Sequence, residues 1–321
     1  MKIRLGYVAI SNKLGKKVTS SSTVTFKTYS NLPNQEEKRK KLLTVTLSNL
    51  NDLAKILKYN IENNIHFYRI TSALIPLVTH PDVGYWGHRE IFKKDFEYIG
   101  NLIKTSNIRV DTHPDQFNVI NSTNPTVVEN TKINLMRQVE WFEDFQYKKG
   151  KMVIHIGGAT GGKEAGLQRF INNFETFPSK IKDSLIIEND DKTYTAAETL
   201  ELCKILKVPM VLDVHHHNCN NNGESLSDFL NDVFLTWDNE TLPPKFHFSS
   251  PLNGERDRKH ANFIIAEDFI SFVEDTRFIN KDFDVMLECK EKDLALYKLV
   301  KDIKKLRPEY TWIDQSTFIV P

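Results

Sequence analysis

The chain has 321 residues, 40% hydrophobic and 26% charged, a composition expected of an ordinary globular protein with a sizeable core. Its 43 Lys and Arg nearly balance 42 Asp and Glu, leaving a net charge of +1, which excludes a uniformly basic nucleic-acid binder and makes any basic surface local. No segment reaches membrane-span length, no signal-peptide pattern opens the chain, and Cys203, Cys219 and Cys289 form neither a disulfide framework nor zinc-finger pairs, so a cytoplasmic protein with reduced thiols is expected.

In chain order, short apolar runs fall at 3–10 (IRLGYVAI), 66–72 (HFYRITS), 108–114 (IRVDTHP), 152–158 (MVIHIGG), 184–190 (SLIIEND), 209–216 (PMVLDVHH), 245–251 (KFHFSSP) and 284–290 (DVMLECK). They are rich in Val, Ile, Leu and Phe and bounded by turn residues, as buried parallel strands are. Helical periodicity separates them. Over 47–64, Leu50, Leu53, Leu57 and Ile61 share one face, and over 125–145 Val128, Ile133, Leu135, Met136 and Val139 do so. Further helices are predicted over 194–207, 225–237, 266–276 and 292–306. Eight strand–helix units without a composition break predict one α/β domain over 1–321, a single (β/α)8 TIM barrel, with an open doubly wound sheet as runner-up.

One connection is abnormal. Residues 11–41 are hydroxyl-rich and hold Lys13, Lys16, Lys17 and Lys27, with Phe26 and Tyr29 interrupting the polar composition. This reads as a partly ordered surface loop, of a length that tends to be functional or disordered.

An active site of such a barrel lies at the C-terminal strand ends. There the third run offers His113, the fourth His155, the fifth Glu188, the sixth Asp213 with His215 to His217, the seventh His247 and the eighth Glu288. A lone strand histidine is more often a hydrogen-bonded core residue, and a lone buried Glu could pair with a lysine such as Lys290. Six consecutive strands ending this way would build an expensive polar cluster unless cations compensate it. Imidazole and carboxylate are ligands for zinc, manganese and iron, and the surplus of groups implies two or three ions with Glu188 free to bridge. In DVHHH, Asp213 and His216 are three apart where the strand breaks, which leaves His215 and His217 pointing elsewhere. His260 stands at the start of a helical pattern beside the mouth. The segment GGATGGK (157–163) imitates a phosphate-binding loop, but Glu164 follows where Ser or Thr is needed, so no nucleotide cofactor is expected.

At THPDQF, IHIGG, ENDDKTYT, DVHHH, PKFHFSSP, KHANF and MLECKEKDLAL, and at the opening IRLGYVAI and YRITSALIPLVTHPDVGYW, the chain resembles the ultraviolet-damage endonuclease (UvsE/UVDE) family over nearly its full length. The resemblance implies a barrel related to endonuclease IV and up to three divalent ions, usually Mn2+, with Zn2+ or Mg2+ as alternatives. It implies cleavage of DNA immediately 5′ to cyclobutane dimers or (6-4) photoproducts, leaving a 3′-hydroxyl. Metal ligands would be His113, His155, Glu188, Asp213, His216, His247, His260 and Glu288, which match the residues reached from the strand ends. Lys245 matches a lysine that can be carboxylated; where related apurinic endonucleases have a metal-binding Asp, this chain has Arg258, and a carboxylated Lys245 could supply the missing oxygen. The unmodified alternative is a lysine paired with Glu288. The resemblance places Gln116 and Phe117 as a wedge in the duplex, against the alternative of a core Phe117. Tyr7 and Asn12 would contact DNA, and His80 would join Glu188 and Lys245 in the catalytic set. The expected partner is UV-damaged double-stranded DNA, bound without a membrane by a monomer, with loop lysines on phosphates. The rivals are a zinc apurinic endonuclease, a two-metal sugar isomerase and a noncatalytic barrel with structural histidines.

Overall fold

A computed structural model describes residues 1–321. Eight strands form the barrel: β1 (Lys2–Val8), β2 (Phe67–Ile70), β3 (Arg109–Thr112), β4 (Lys151–His155), β5 (Leu185–Glu188), β6 (Met210–Asp213), β7 (Lys245–Phe248) and β8 (Phe283–Leu287). Each pairs in parallel with the next, and β1 pairs in parallel with both β2 and β8, so the sheet closes on itself. The fold is therefore the (β/α)8 barrel that alternating periodicity predicts. At the closing seam, a Cβ on Gly6 would meet the carbonyl of Phe67, so the approach of β1 to β2 requires glycine there.

Helices at Pro125–Asp144, Ala196–Leu206, Ala266–Asp275 and Lys292–Leu306 follow the predicted patterns. Local chemistry sets their starts. Asn124 caps one helix ahead of Pro125, and Thr195 with Glu198 makes a reciprocal capping box for another. Three expectations change. The abnormal connection is shorter than 11–41, because a short helix occupies Phe26–Ser30 and a long one runs Gln35–Glu62, capped by the Asn34 side chain. The helix predicted over 225–237 is broken into a single tight turn and Leu230–Leu235. Ile133, assigned to a buried face, is exposed. A hairpin of β9 (Thr311–Trp312) and β10 (Thr317–Ile319) pairs antiparallel with β1, outside the barrel.

Most of the core, 69 residues, forms one cluster that includes outward strand residues and the inner faces of the helices. The barrel interior is different. Val153, Ile186, Val211 and Trp237 make one small apolar cluster, and Val8, Phe67 and Met286 another. Between them, Arg109 lies against the Phe67 and Trp237 rings at 4.9 and 5.3 Å. It pairs at 2.7 Å with Asp284, which also takes Arg4 at 2.6 Å. Strands β3 and β8 are not neighbours, so this pair spans the interior. Nearer the mouth, Lys245 of β7 pairs with Asp111 of β3 in the same manner. Side chains alternate along a strand, so Arg109, Asp111 and His113 rise on one face from the closed end toward the mouth.

Candidate metal centre

Residues at the strand ends converge. His155, Glu188 and Asp213 are the last residues of β4, β5 and β6, His113 and Glu288 follow β3 and β8 by one, and His247 lies within β7. After β6 the chain turns at once into one helical turn, Val214–Cys219, whose first N–H groups need a cap. Asp213 Oδ1 supplies it, accepting from the His216 backbone at 2.8 Å. That turn keeps His216 at the mouth while His215 is buried against His260 and His217 against Phe229.

Three ligand groups result: His113 with His155 and Glu188, Glu188 with Asp213 and His216, and Glu188 with His247 and Glu288; within each, one atom per residue lies within 4.8 Å of the others. Glu188 belongs to all three, and its two oxygens face different sides. Oε2 is 3.1 Å from His113 Nε2 and 3.4 Å from His155 Nε2, while Oε1 is 2.6 Å from His247 Nδ1 and 3.7 Å from His216 Nδ1.

The donor set fits divalent ions. His113 Nδ1 donates to the Pro114 carbonyl at 3.0 Å, which aims Nε2 at Glu188 Oε2, 3.1 Å away. A ring oriented through its far nitrogen in this way presents the near one to a metal. Asp213 Oδ2 and His155 Nδ1 are buried without a hydrogen-bond partner. Protonation states agree. Burial opposes the charge on Glu188, but His247, His155 and His113 hold it well below the usual carboxylate range. Burial pushes His247 down to about 4 and lowers His155, keeping both rings neutral. Burial, with Glu188 and Glu288 adding to it and His216 opposing, pushes Asp213 up to about 6. His216 is driven up to about 9 by Asp213, Glu188 and Glu288 despite its burial. His247 and His155 as neutral rings beside an ionised Glu188 suit a divalent ion, while His216 must give up its proton when one binds.

Other expectations need correction. His260 does not begin a helix; it bridges to Pro251, and its Nδ1 donates to the Glu288 carbonyl at 2.6 Å. It stands outside the three groups, with its ring 6.2 Å from that of His216. Tyr7 cannot line a groove: it is fully buried, and its hydroxyl donates to Asn60 of the Gln35–Glu62 helix at 2.6 Å. The Asn12 amide is committed to the Lys290 carbonyl and Glu291. His80 belongs to none of the three ligand groups and stacks on Phe26, with ring centroids 4.0 Å apart. Lys245 pairs with Asp111, not Glu288; Glu288 takes Arg69 at 2.7 Å, not Lys290. Burial, with Arg69 and Arg109, brings the Lys245 amine down to about 8 against the pull of Asp111. Arg258 turns to Asp191 at 2.5 Å. In the imitation phosphate loop, Lys163 is occupied by Glu198 at 2.8 Å.

Gln116 and Phe117 stand on the loop after β3, and Phe117 is 73% exposed, so it is not a core residue. Asp115 and Asn118 of this loop line two cavities, one of about 480 Å³ reaching His113, His155 and His216, the other of about 400 Å³ reaching His80 and Trp141. Lys13, Lys16, Lys17 and Lys27 are exposed. Sequence reading missed Arg69, Asp111 and Asn189. The Asn189 side chain exchanges hydrogen bonds with the Asp213 backbone at 2.8 and 3.0 Å, and its carbonyl accepts from His216 Nδ1 at 3.0 Å. The available signal was a charge inside an apolar strand run, Arg69 in FYRI and Asp111 in RVDT.

Comparison with known proteins shows the family. Residues 3–315 match the profile of UvdE, the UV-endonuclease family. A UV DNA damage endonuclease of Bacillus mycoides (strain KBAB4) is 38% identical over 308 residues, 96% of this chain and 96% of its own length. The crystal structure of SacUVDE superposes with a TM-score of 0.82 at 35% identity, covering 95% of this chain and 99% of that one. Endonuclease IV from Thermus thermophilus superposes at 0.53 with 14% identity over 80% of this chain and 94% of its own, a likeness of fold alone.

Proposed function

This chain belongs to the UvdE family of UV endonucleases, and on that premise we propose that it is a metal-dependent enzyme hydrolysing the DNA phosphodiester immediately 5′ to cyclobutane dimers and (6-4) photoproducts. The observation that supports metal dependence most is Glu188, buried and shared by three ligand groups, with its oxygens aimed at opposite sides. Two or three divalent ions, Mn2+ first among them, would supply Lewis acidity toward a phosphoryl oxygen and a nucleophilic water at neutral pH.

The protein's own part is positioning. Glu188, His113, His155, Asp213, His216, His247 and Glu288 offer ligand atoms, and carbonyls of Pro114 and Asn189 fix two ring orientations. His260, outside these groups but oriented by the Glu288 carbonyl, would join as the eighth only by moving its ring toward an ion at the outer edge. Water adds to phosphorus, the bond from phosphorus to the 3′-oxygen breaks, and that oxygen leaves with a proton as a 3′-hydroxyl. A neutral Lys245 amine is the form that takes up CO2, and its lowered pKa favours that form; carboxylation requires it to leave Asp111.

Recognition begins at the loop after β3. Phe117 presents an exposed ring for stacking, and Gln116 beside it can fill the space of a displaced pair. Extrusion costs least where a lesion has already weakened pairing, so selectivity comes from deformability. Exposed lysines of residues 11–27 sit on the connection that follows β1, beside the same barrel mouth, where they can hold phosphates.

The test is a nicking assay with Mn2+ on three matched duplexes: undamaged, abasic, and carrying one thymine dimer. Cutting just 5′ to the dimer, lost on chelation and restored by Mn2+, is the expected result. Cutting of the abasic duplex alone would move the substrate to the apurinic class, and full activity in chelator would end the metal reading.

A further inference from the structure

The corner formed by Glu188, His247 and Glu288 differs from the others because an arginine, a cation that cannot itself become a ligand, already sits in it. Arg69 of β2 is only 8% exposed, and its Nη1 lies 2.7 Å from Glu288 Oε1. Its Nη2 lies 2.7 Å from His247 Nε2. Arginine only donates, so His247 accepts at Nε2 and keeps its own proton on Nδ1. That is the nitrogen facing Glu188 at 2.6 Å and Glu288 at 3.1 Å. His113 is arranged the opposite way, with Nδ1 held by a carbonyl and Nε2 toward Glu188. One histidine is preset as a ligand; the other is not.

A second position for the guanidinium is in place. Arg69 Nε lies 3.8 Å from Asp111 Oδ1. Both atoms are buried and neither has a hydrogen-bond partner. Asp111 Oδ2 is taken by Lys245, so Oδ1 is the oxygen left over. An unmade ion pair, about 1 Å too long for a charge-assisted hydrogen bond, stands beside a made one.

We infer that Arg69 is a positioning residue that holds the cation place of this corner and yields it to a divalent ion by moving to Asp111. The inference rests on the metal-dependent reading above. When Arg69 leaves Nε2, the His247 proton passes from Nδ1 to Nε2, and Nδ1 becomes a ligand between Glu188 and Glu288. The empty corner is never left with uncompensated buried carboxylates, which accounts for a full positive charge on the inward face of β2. Because the ion must displace the Arg69–Glu288 pair here, and no arginine stands in the corner of His113 and His155, this corner binds its ion more weakly than that one.

The test uses the full chain without DNA, stripped with chelator and titrated with Mn2+ alone, following the free aqua ion by its paramagnetic resonance signal. In the wild type one ion should bind more weakly than the rest. Arg69→Met removes the competitor and should tighten that ion roughly tenfold, the order of an ordinary coupling between competing ligands. Asp111→Asn removes the refuge and should loosen the same ion. Opposite signs from two neighbouring substitutions are not what general loosening of the barrel produces. A weakest ion that is unchanged or looser in Arg69→Met overturns the inference. If that variant does not fold by circular dichroism, Arg69→Lys decides: one ammonium cannot span Glu288 and His247, so it must tighten the ion by a smaller factor, and no tightening again overturns the inference. A wild type that binds no Mn2+ brings down the metal-dependent reading itself. One that binds ions and cuts dimers, yet ignores Arg69, sinks this inference alone.

Discussion

The two ends of the barrel interior treat buried charge in opposite ways. At the closed end, Arg4 and Arg109 meet Asp284 at 2.6 and 2.7 Å, and two aromatic rings cover Arg109. At the mouth, four histidines crowd the two oxygens of one buried glutamate, and Asp213 Oδ2 is buried with no partner. Both regions set basic side chains beside carboxylates on inward strand positions. The carboxylates separate them. At the closed end both oxygens of Asp284 are taken by arginines, although Arg109 Nε and Nη2 stay without a partner, whereas at the mouth Asp213 Oδ2 is a carboxylate oxygen left for something from outside.

The largest break in that comparison should come from Glu188→Gln. It removes charge from the one residue common to all three ligand groups, and we expect nicking beside a dimer to fall by at least roughly 10³-fold, the upper range for losing one stabilising group. Metal content, counted by elemental analysis, should fall with it. The folded state should persist, because an amide fills the same volume. A variant that keeps its metal and most of its activity would remove Glu188 from the centre of the site.

Asp284→Ala tests the other end. It strands Arg4 and Arg109 in the interior, and breaking a buried pair in this way costs about 3–5 kcal/mol of stability. Thermal unfolding should register that loss. Nicking per folded molecule should stay near wild type, since Asp284 touches no ligand residue. If activity fell in step with Glu188→Gln at unchanged stability, the division between the ends would be wrong.

How far the sequence discloses this division depends on distance along the chain. The eight apolar runs and their terminal His, Glu and Asp residues are legible because alternation and strand-end placement are local properties. Arg69 and Asp111 are visible only as charges out of place, because their partners arrive from β7 and β8 after closure. Tyr7 is misplaced for a related reason: facing the groove or facing a helix is decided by register, and here its hydroxyl turns outward to Asn60. The first turns of the Gln35–Glu62 helix are polar and mostly exposed, so they look like loop until Asn34 is seen capping them. Two- and three-residue strands such as β9 and β10 are too short to show a period.

The loop after β3 sharpens the contrast from outside the barrel. Phe117 is exposed and contributes nothing to the core, so Phe117→Ala should leave unfolding unchanged. Stacking on a base is worth about 1–3 kcal/mol. We therefore expect dimer-duplex affinity to fall roughly 5- to 150-fold, read by anisotropy in chelator so that no cutting intervenes. Affinity for undamaged duplex should hardly move. Equal losses on both duplexes would make Phe117 a general DNA contact and leave selectivity to be found elsewhere.

The smallest effect is set by pH and bears on the mouth without its ions. Burial holds His247 near 4 and lowers His155, while in the unfolded chain both titrate near their ordinary value of about 6.5. Folded pKa values below the unfolded ones mean that the unfolded chain binds more protons as pH falls. The stability these neutral rings contribute is therefore intact above about 6.5 and is lost progressively as pH drops toward about 4. His216, raised to about 9, works in the opposite sense: its contribution is complete below about 6.5 and fades as pH rises through about 9. Metal-free protein should accordingly lose denaturant midpoint on the acid side, and His247→Gln should flatten that limb while leaving the alkaline one. If the acid limb were as steep in the variant, the loss would belong to carboxylates elsewhere, and the neutral imidazole at the centre of the mouth would have to be reconsidered.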